Sequence, residues 1–229
     1  MVQAITGSAP VSGEREVPYT LIRPDGGQGR AVCFVCPGAS YLFDKPLLHF
    51  STMTLLRFGA DVVHVRYAYG KDNTVFWNLP EDERSRVMQE DVRAVTERVL
   101  HHSDYEQVLF LGKSIGTLPI VNGVCRSPRH AQAAVILLTP LLTLQTVADH
   151  LLTCPQAVFL AIGTGDPYYS EPVIRLLAKT RLNVTLHIVP QANHALEIGL
   201  DAEVSLDVLR SLMRDMALFL SDRLPIPAR

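Results

Sequence analysis

Seven residues, LGKSIGT at positions 111–117, constrain the fold of this 229-residue chain more than any others. They hold Ser114 between Gly112 and Gly116 in the spacing G-x-S-x-G. The residues before them, 107–111 (QVLFL), are apolar and strand-like, and those after, 115–125 (IGTLPIVNGVC), read as a helix. A strand that turns into a helix within so few residues strains the serine backbone. It also brings strand and helix too close for side chains at the two glycines. Such a turn holds a serine hydroxyl above the end of a sheet. The plainer alternative is a serine that caps a helix, and the strand–turn–helix context weighs against it.

Two further polar residues fall at equivalent places. The apolar run 157–162 (AVFLAI) ends in GTGDPYY, which puts Asp166 just past the carboxyl end of a strand. The run 184–189 (VTLHIV) is followed by PQANHALE, which puts His194 in the next such loop. The strands of an open parallel sheet share one carboxyl edge, so residues far apart in sequence meet there. Asp149, the rival acid, falls late in a helical stretch rather than at a strand end. Asp166 also suits a turn-capping role in DPYY, and Glu197, three residues past His194, reads as a solvated carboxylate.

Strands and helices alternate along the chain. Strands are expected at 17–23, 31–36, 61–67, 107–111, 133–138, 157–162 and 184–189. Helices are expected at 46–58, 83–100, 115–125, 141–152, 171–180 and 202–223. Residues 24–29 (PDGGQG) read as a turn, and residues 1–16 as a polar, loosely ordered N-terminal segment. Pro119 sits awkwardly inside the helix that follows Ser114. Several strands are apolar on both faces, the pattern of a mostly parallel sheet covered by helices on both sides. Residues 17–229 then form a single domain, since no composition break marks a boundary.

Composition excludes several classes of function. Lys plus Arg (21) nearly balances Asp plus Glu (23), so nothing favours nucleic acid or an anionic membrane as partner. No apolar run is long enough to span a bilayer. MVQAITGSAPVSGEREV has neither a basic start nor an apolar stretch, so no signal peptide is expected and a cytoplasmic location is. The pair Cys33/Cys36 forms a C-x-x-C, but within a strand such residues point to opposite faces. With Cys125 and Cys154 they read as small buried residues, and no metal site is expected. Neither G-x-G-x-x-G nor a P-loop occurs, so no cofactor is expected.

The three residues suit one chemistry. A serine hydroxyl becomes a nucleophile when an imidazole takes its proton, and a carboxylate fixes the tautomer of that imidazole. Ser114, His194 and Asp166 fill those roles, with activity falling around pH 6 as an unperturbed imidazole protonates. The chain order Ser, Asp, His is that of the α/β-hydrolases. With PGASY, GKSIG, GTGDPYY and NHALE in sequence, the chain resembles that superfamily from about residue 17 to its last helix. It is most similar to compact, lidless esterases and dienelactone-hydrolase-like proteins. It departs from the dienelactone hydrolases in carrying serine where they carry cysteine, and from many relatives in having Cys36-Pro37 where they have His-Gly.

The resemblance implies the α/β-hydrolase fold and an oxyanion hole of two backbone N–H groups. One is Ile115, after the nucleophile, and the other Ala39 in the loop CPGASY, with Ser40 as the near alternative. The short stretch 139–156 leaves no room for a cap domain. Ser40, Tyr41, Trp77 and Tyr168 are candidates for the substrate pocket. Tyr67, Tyr69 and Phe76 either line it with Trp77 or pack their loop against the body. Lys113 reads as the variable position of the motif. The expected function is a serine hydrolase cleaving carboxylic esters or related acyl bonds, thioester or short acyl-peptide, in small molecules. The alternatives are an acyltransferase or lyase on the same scaffold, or a non-catalytic binding protein. A homodimer is left open.

Overall fold

A computed structural model describes residues 2–12, 15–24, 27–101 and 103–224. Eight strands form one sheet in the order β1-β2-β4-β3-β5-β6-β7-β8. They are β1 (Val2–Ser12), β2 (Arg15–Pro24), β3 (Ala31–Cys36), β4 (Ala60–Val65), β5 (Gln107–Lys113), β6 (Ala134–Leu138), β7 (Ala157–Gly163) and β8 (Val184–Val189). The first two run antiparallel to each other, β2 runs antiparallel to β4, and every pair from β4 to β8 is parallel. This is the mostly parallel sheet that the doubly apolar strands imply.

Helices cover both faces, and alternation within each strand divides the core between them. Val32, Phe34 and Cys36 of β3 face a core that includes residues of α3 (Glu81–Leu100), α4 (Leu118–Asn122), α5 (Gln145–Thr153) and α6 (Glu171–Thr180). Ala31, Cys33 and Val35 face the other core, built with α1 (Pro46–Arg57) and α7 (Ala202–Ser221). Cys33 and Cys36 thus lie on opposite sides of the sheet, and all four cysteines are buried as free thiols. Among the described residues no helix is long and apolar enough to cross a membrane.

Three local expectations are corrected. Residues 2–12 are not loosely ordered: they form β1, paired with β2 from Val2↔Pro24 to Ser12↔Arg15. Most β1 side chains are exposed, and backbone pairing rather than apolar patterning holds the strand in place. Residues 74–77, read as loop, form the short helix α2 (Thr74–Trp77), whose N-terminus is capped by Asn73 Oδ1 accepting from the Phe76 N–H at 3.0 Å. The single helix expected over 115–125 is broken into a 3₁₀ turn at Ser114–Thr117, then α4, then a second 3₁₀ turn at Val124–Arg126. Pro119 becomes the second residue of α4, where a missing N–H leaves no bond unmade. The turn expected at 24–29 includes 25–26, which lie outside the described residues.

Parallel pairing sets the functional edge. The registers Cys36↔Gly112, Lys113↔Leu138 and Gly163↔Val189 align the carboxyl ends of the central strands. The core beneath is tight: Phe34 and Phe110 are fully buried, with ring centroids 5.3 Å apart. Phe110→Ala is expected to destabilise the fold by about 3–5 kcal/mol, measured by denaturant unfolding.

Candidate active site

Ser114 follows β5 directly, with φ at +56°, in the left-handed region that a non-glycine residue adopts only at a cost. Two glycines make the turn possible. A Cβ on Gly112 would stand 2.5 Å from the Gly116 carbonyl oxygen, and one on Gly116 would overlap the Cys36 and Pro37 carbonyls. Gly116 therefore lets the loop after β3 lie against the turn. That closeness brings Gly38 of this loop against the turn, where a Cβ on it would stand 3.5 Å from the Ser114 Cβ. Tyr67 steadies the same loop by donating its hydroxyl to the Pro37 carbonyl at 2.8 Å.

Asp166 ends a turn after β7, its N–H bonded to the Gly163 carbonyl at 3.2 Å. Its side chain is fully buried. Oδ1 accepts from the Tyr168 N–H at 2.9 Å, while Oδ2 lies 2.7 Å from His194 Nδ1. The turn-capping and imidazole-orienting readings both hold, one for each oxygen. Asp149 stays away from the site: it is exposed on α5, bonded to the side chain of Gln145 at 2.8 Å.

His194 belongs to a loop that Asn193 organises. The Asn193 Oδ1 accepts from the Ala195 and Glu197 N–H groups at 2.8 and 3.1 Å. Gly165 N–H donates to the Ala192 carbonyl at 3.0 Å, tying the His194 loop to the Asp166 loop. His194 Nε2 lies 2.7 Å from Ser114 Oγ. A buried carboxylate can only accept, so Nδ1 carries the imidazole proton and Nε2 is left to accept from the serine hydroxyl. Glu197 is exposed in the same loop.

Among the described residues the Ala39 and Ser40 N–H groups have no acceptor. The Ile115 N–H lies in the first turn of its 3₁₀ helix, where the chain supplies no acceptor. Ala39, Ser40, Ser114 and Ile115 all line a cavity of about 860 Å³. Tyr41, Trp77, Tyr168 and Ser40 line it, as the sequence suggests, and so do Leu118, Leu141 and Leu144, which sequence reasoning missed. The aromatic loop divides: Trp77 faces the cavity, whereas Tyr69 and Phe76 are buried together, ring centroids 4.1 Å apart, and Tyr67 props the loop after β3. The stretch from β6 to β7 holds only α5, so nothing inserted there roofs the cavity.

Among the described residues, the other histidine pairs lack the full set. Thr52 Oγ1 lies 2.9 Å from His64 Nε2, but both are buried away from the cavity and no carboxylate reaches the ring. Burial, with the charge of Arg66, pushes His64 down to about 4, so it stays neutral. His187 pairs with Asp215 at 2.7 Å and meets no hydroxyl. Lys113, at the variable position of the motif, is buried, 1 % exposed, and is among the residues lining the cavity. Gly116→Ala is expected to cost at least about 2 kcal/mol in denaturant unfolding, because its methyl has only backbone to displace.

No family model matches the sequence, and no curated protein matches it. Solved structures do. The chain is similar to XC6422 from Xanthomonas campestris, described as an α/β serine hydrolase without lid. The TM-score is 0.72 and the identity 17%, over 99% of this chain and 97% of that one. It is similar to the esterase Pf2001 of Pyrococcus furiosus, with a TM-score of 0.70 and 14% identity over 96% and 92%. A dienelactone hydrolase from Anabaena variabilis gives 0.68 and 17% over 97% and 99%. At such identities the likeness is one of fold: this chain has the α/β-hydrolase fold in its lidless form.

Proposed function

We propose that the protein is a serine hydrolase that cleaves carboxylic esters or related acyl bonds through an acyl-Ser114 intermediate. One observation carries the reading: a hydrogen-bonded chain from buried Asp166 through His194 to Ser114 opens on a cavity with unpaired backbone donors. The esterase and serine hydrolase neighbours, alike in fold, agree with it.

In the proposed cycle His194 Nε2 removes the Ser114 proton as Oγ bonds to the acyl carbon. The carbonyl oxygen becomes negative and is held by the N–H groups of Ile115 and Ala39. The imidazolium, stabilised by Asp166, then protonates the departing alcohol or thiol. Water enters, loses a proton to His194 and displaces Ser114 Oγ, which regains that proton. The acid leaves and the site returns to its starting state.

The open cavity, with the apolar side chains of Leu118, Leu141 and Leu144 in its wall, suits small and medium acyl groups of esters, thioesters or short acyl-peptides. A short-chain p-nitrophenyl ester is expected to be turned over. Asp166→Asn should lower kcat by about 10⁴, because the amide favours the wrong imidazole tautomer. Ser114→Ala should reduce turnover to background. Turnover that persists in Ser114→Ala would overturn the proposal.

A further inference from the structure

The cavity differs in character on the two sides of Ser114. In the strand order β4-β3-β5-β6, the segments after β4 and after β6 flank the serine from opposite sides. The β6 side supplies Leu141 and Leu144, and the β4 side supplies Lys71, Trp77, Glu81 and Arg84. An apolar half and a charged half suit a substrate divided in the same way.

Arg84 is the fixed part of the charged half. Its Nη1 donates to the Trp77 carbonyl at 3.2 Å, and its guanidinium carbon lies 5.4 Å from the centroid of the Trp77 ring. Trp77 is held in turn. Its Nε1 donates to the Gly70 carbonyl at 2.9 Å, and its ring packs edge-on against the buried Phe76. One hydrogen bond and the stacking thus hold the guanidinium without using its Nε–Nη2 edge. Among the described residues that edge meets no acceptor, and Arg84 pairs with no carboxylate. Other arginines contrast with it: Arg86 pairs with Glu90 at 2.7 Å, Arg129 with Glu97 and Arg175 with Glu171. Glu81, one turn before Arg84, is exposed and forms no ion pair with it. A guanidinium edge offers two parallel N–H groups at the spacing of the two carboxylate oxygens. One already stacked on an aromatic ring loses little freedom on binding.

We propose that Arg84 is a specificity residue for an anionic leaving group. The site takes acyl esters whose alcohol half carries a carboxylate, which docks on the Nε–Nη2 edge of Arg84 beside Trp77, while an apolar acyl chain lies toward Leu141 and Leu144. The inference rests on the hydrolase reading for its chemistry and on the setting of Arg84 for its recognition. The other cations in the wall contribute less. Lys71 is exposed, where solvent and salt screen it. Lys113 is buried, and burial pushes its ammonium down to about 7.

The test compares p-carboxyphenyl butanoate with p-carbamoylphenyl butanoate, which match in shape and differ in charge, each kcat/KM being divided by the hydroxide rate of the same ester. Wild type is expected to favour the carboxylate by about ten-fold, and Arg84→Met to lose that preference. Arg84→Lys should keep part of it, and Arg84→Glu should reverse it. An arginine that only props Trp77 would, when replaced, slow both esters alike and leave their ratio unchanged. That result, or a wild-type ratio of one, overturns the proposal. A second readout needs no turnover. Trp77 is the only tryptophan in the chain, so its indole N–H gives a single NMR resonance. In wild type p-hydroxybenzoate should shift it at about ten-fold lower concentration than p-hydroxybenzamide, and in Arg84→Met the two should act alike. That difference in a protein that cleaves neither ester upholds the anion site and sinks the hydrolase reading instead. Equal binding of acid and amide to wild type overturns the anion site.

Discussion

The close approach of backbone to backbone at Gly116 is the constraint on which the site depends. A Cβ there would overlap the Cys36 and Pro37 carbonyls, so only glycine lets the loop after β3 rest on the turn after β5. The same approach brings Gly38 close enough that a Cβ on it would stand 3.5 Å from the Ser114 Cβ. The strained φ of Ser114 is sustained by the same packing. Parallel registers from β3 to β8 then bring two more loops to this edge, and the link from Gly165 N–H to the Ala192 carbonyl joins those loops to each other.

Electrostatics in the site follow from burial. Asp166 has no solvent to stabilise its charge, so it depends on the Tyr168 N–H and on His194. The hydrogen bonds fix the proton on Nδ1 and leave Nε2 facing Ser114. The cavity supplies the contrasting environment, open enough for a small substrate and walled partly by leucines and aromatic rings. Geometry of this kind favours reactions in which negative charge develops on a carbonyl oxygen beside the serine.

Much of this was legible in the sequence because it depends on local pattern. Ser114, Asp166 and His194 each follow an apolar strand, and a parallel sheet necessarily gathers such positions at one edge. Cys33 and Cys36 were legible as opposite-facing for the same reason. What escaped depends on partners remote in sequence. The polar β1 is a strand because β2 pairs with it, which no periodicity within residues 2–12 reveals. The helix expected over 115–125 looked continuous because the crowding of Gly116 against the Cys36 and Pro37 carbonyls comes from a segment remote in sequence. Tyr69 and Phe76 could not be separated from Trp77 without knowing which ring meets the core. Lys113 was hidden most deeply, since lysine is so seldom buried that composition argues for its exposure.

The central claim is that Ser114 is an activated nucleophile. Its most direct test is reaction of the folded protein with a fluorophosphonate, followed by peptide mapping. The account predicts a single modified residue, Ser114, with labelling lost in Ser114→Ala and strongly slowed in His194→Gln. A folded protein that does not react, or that reacts at another residue, would contradict it. The hydrogen-bonded chain would then be a structural feature of a binding protein.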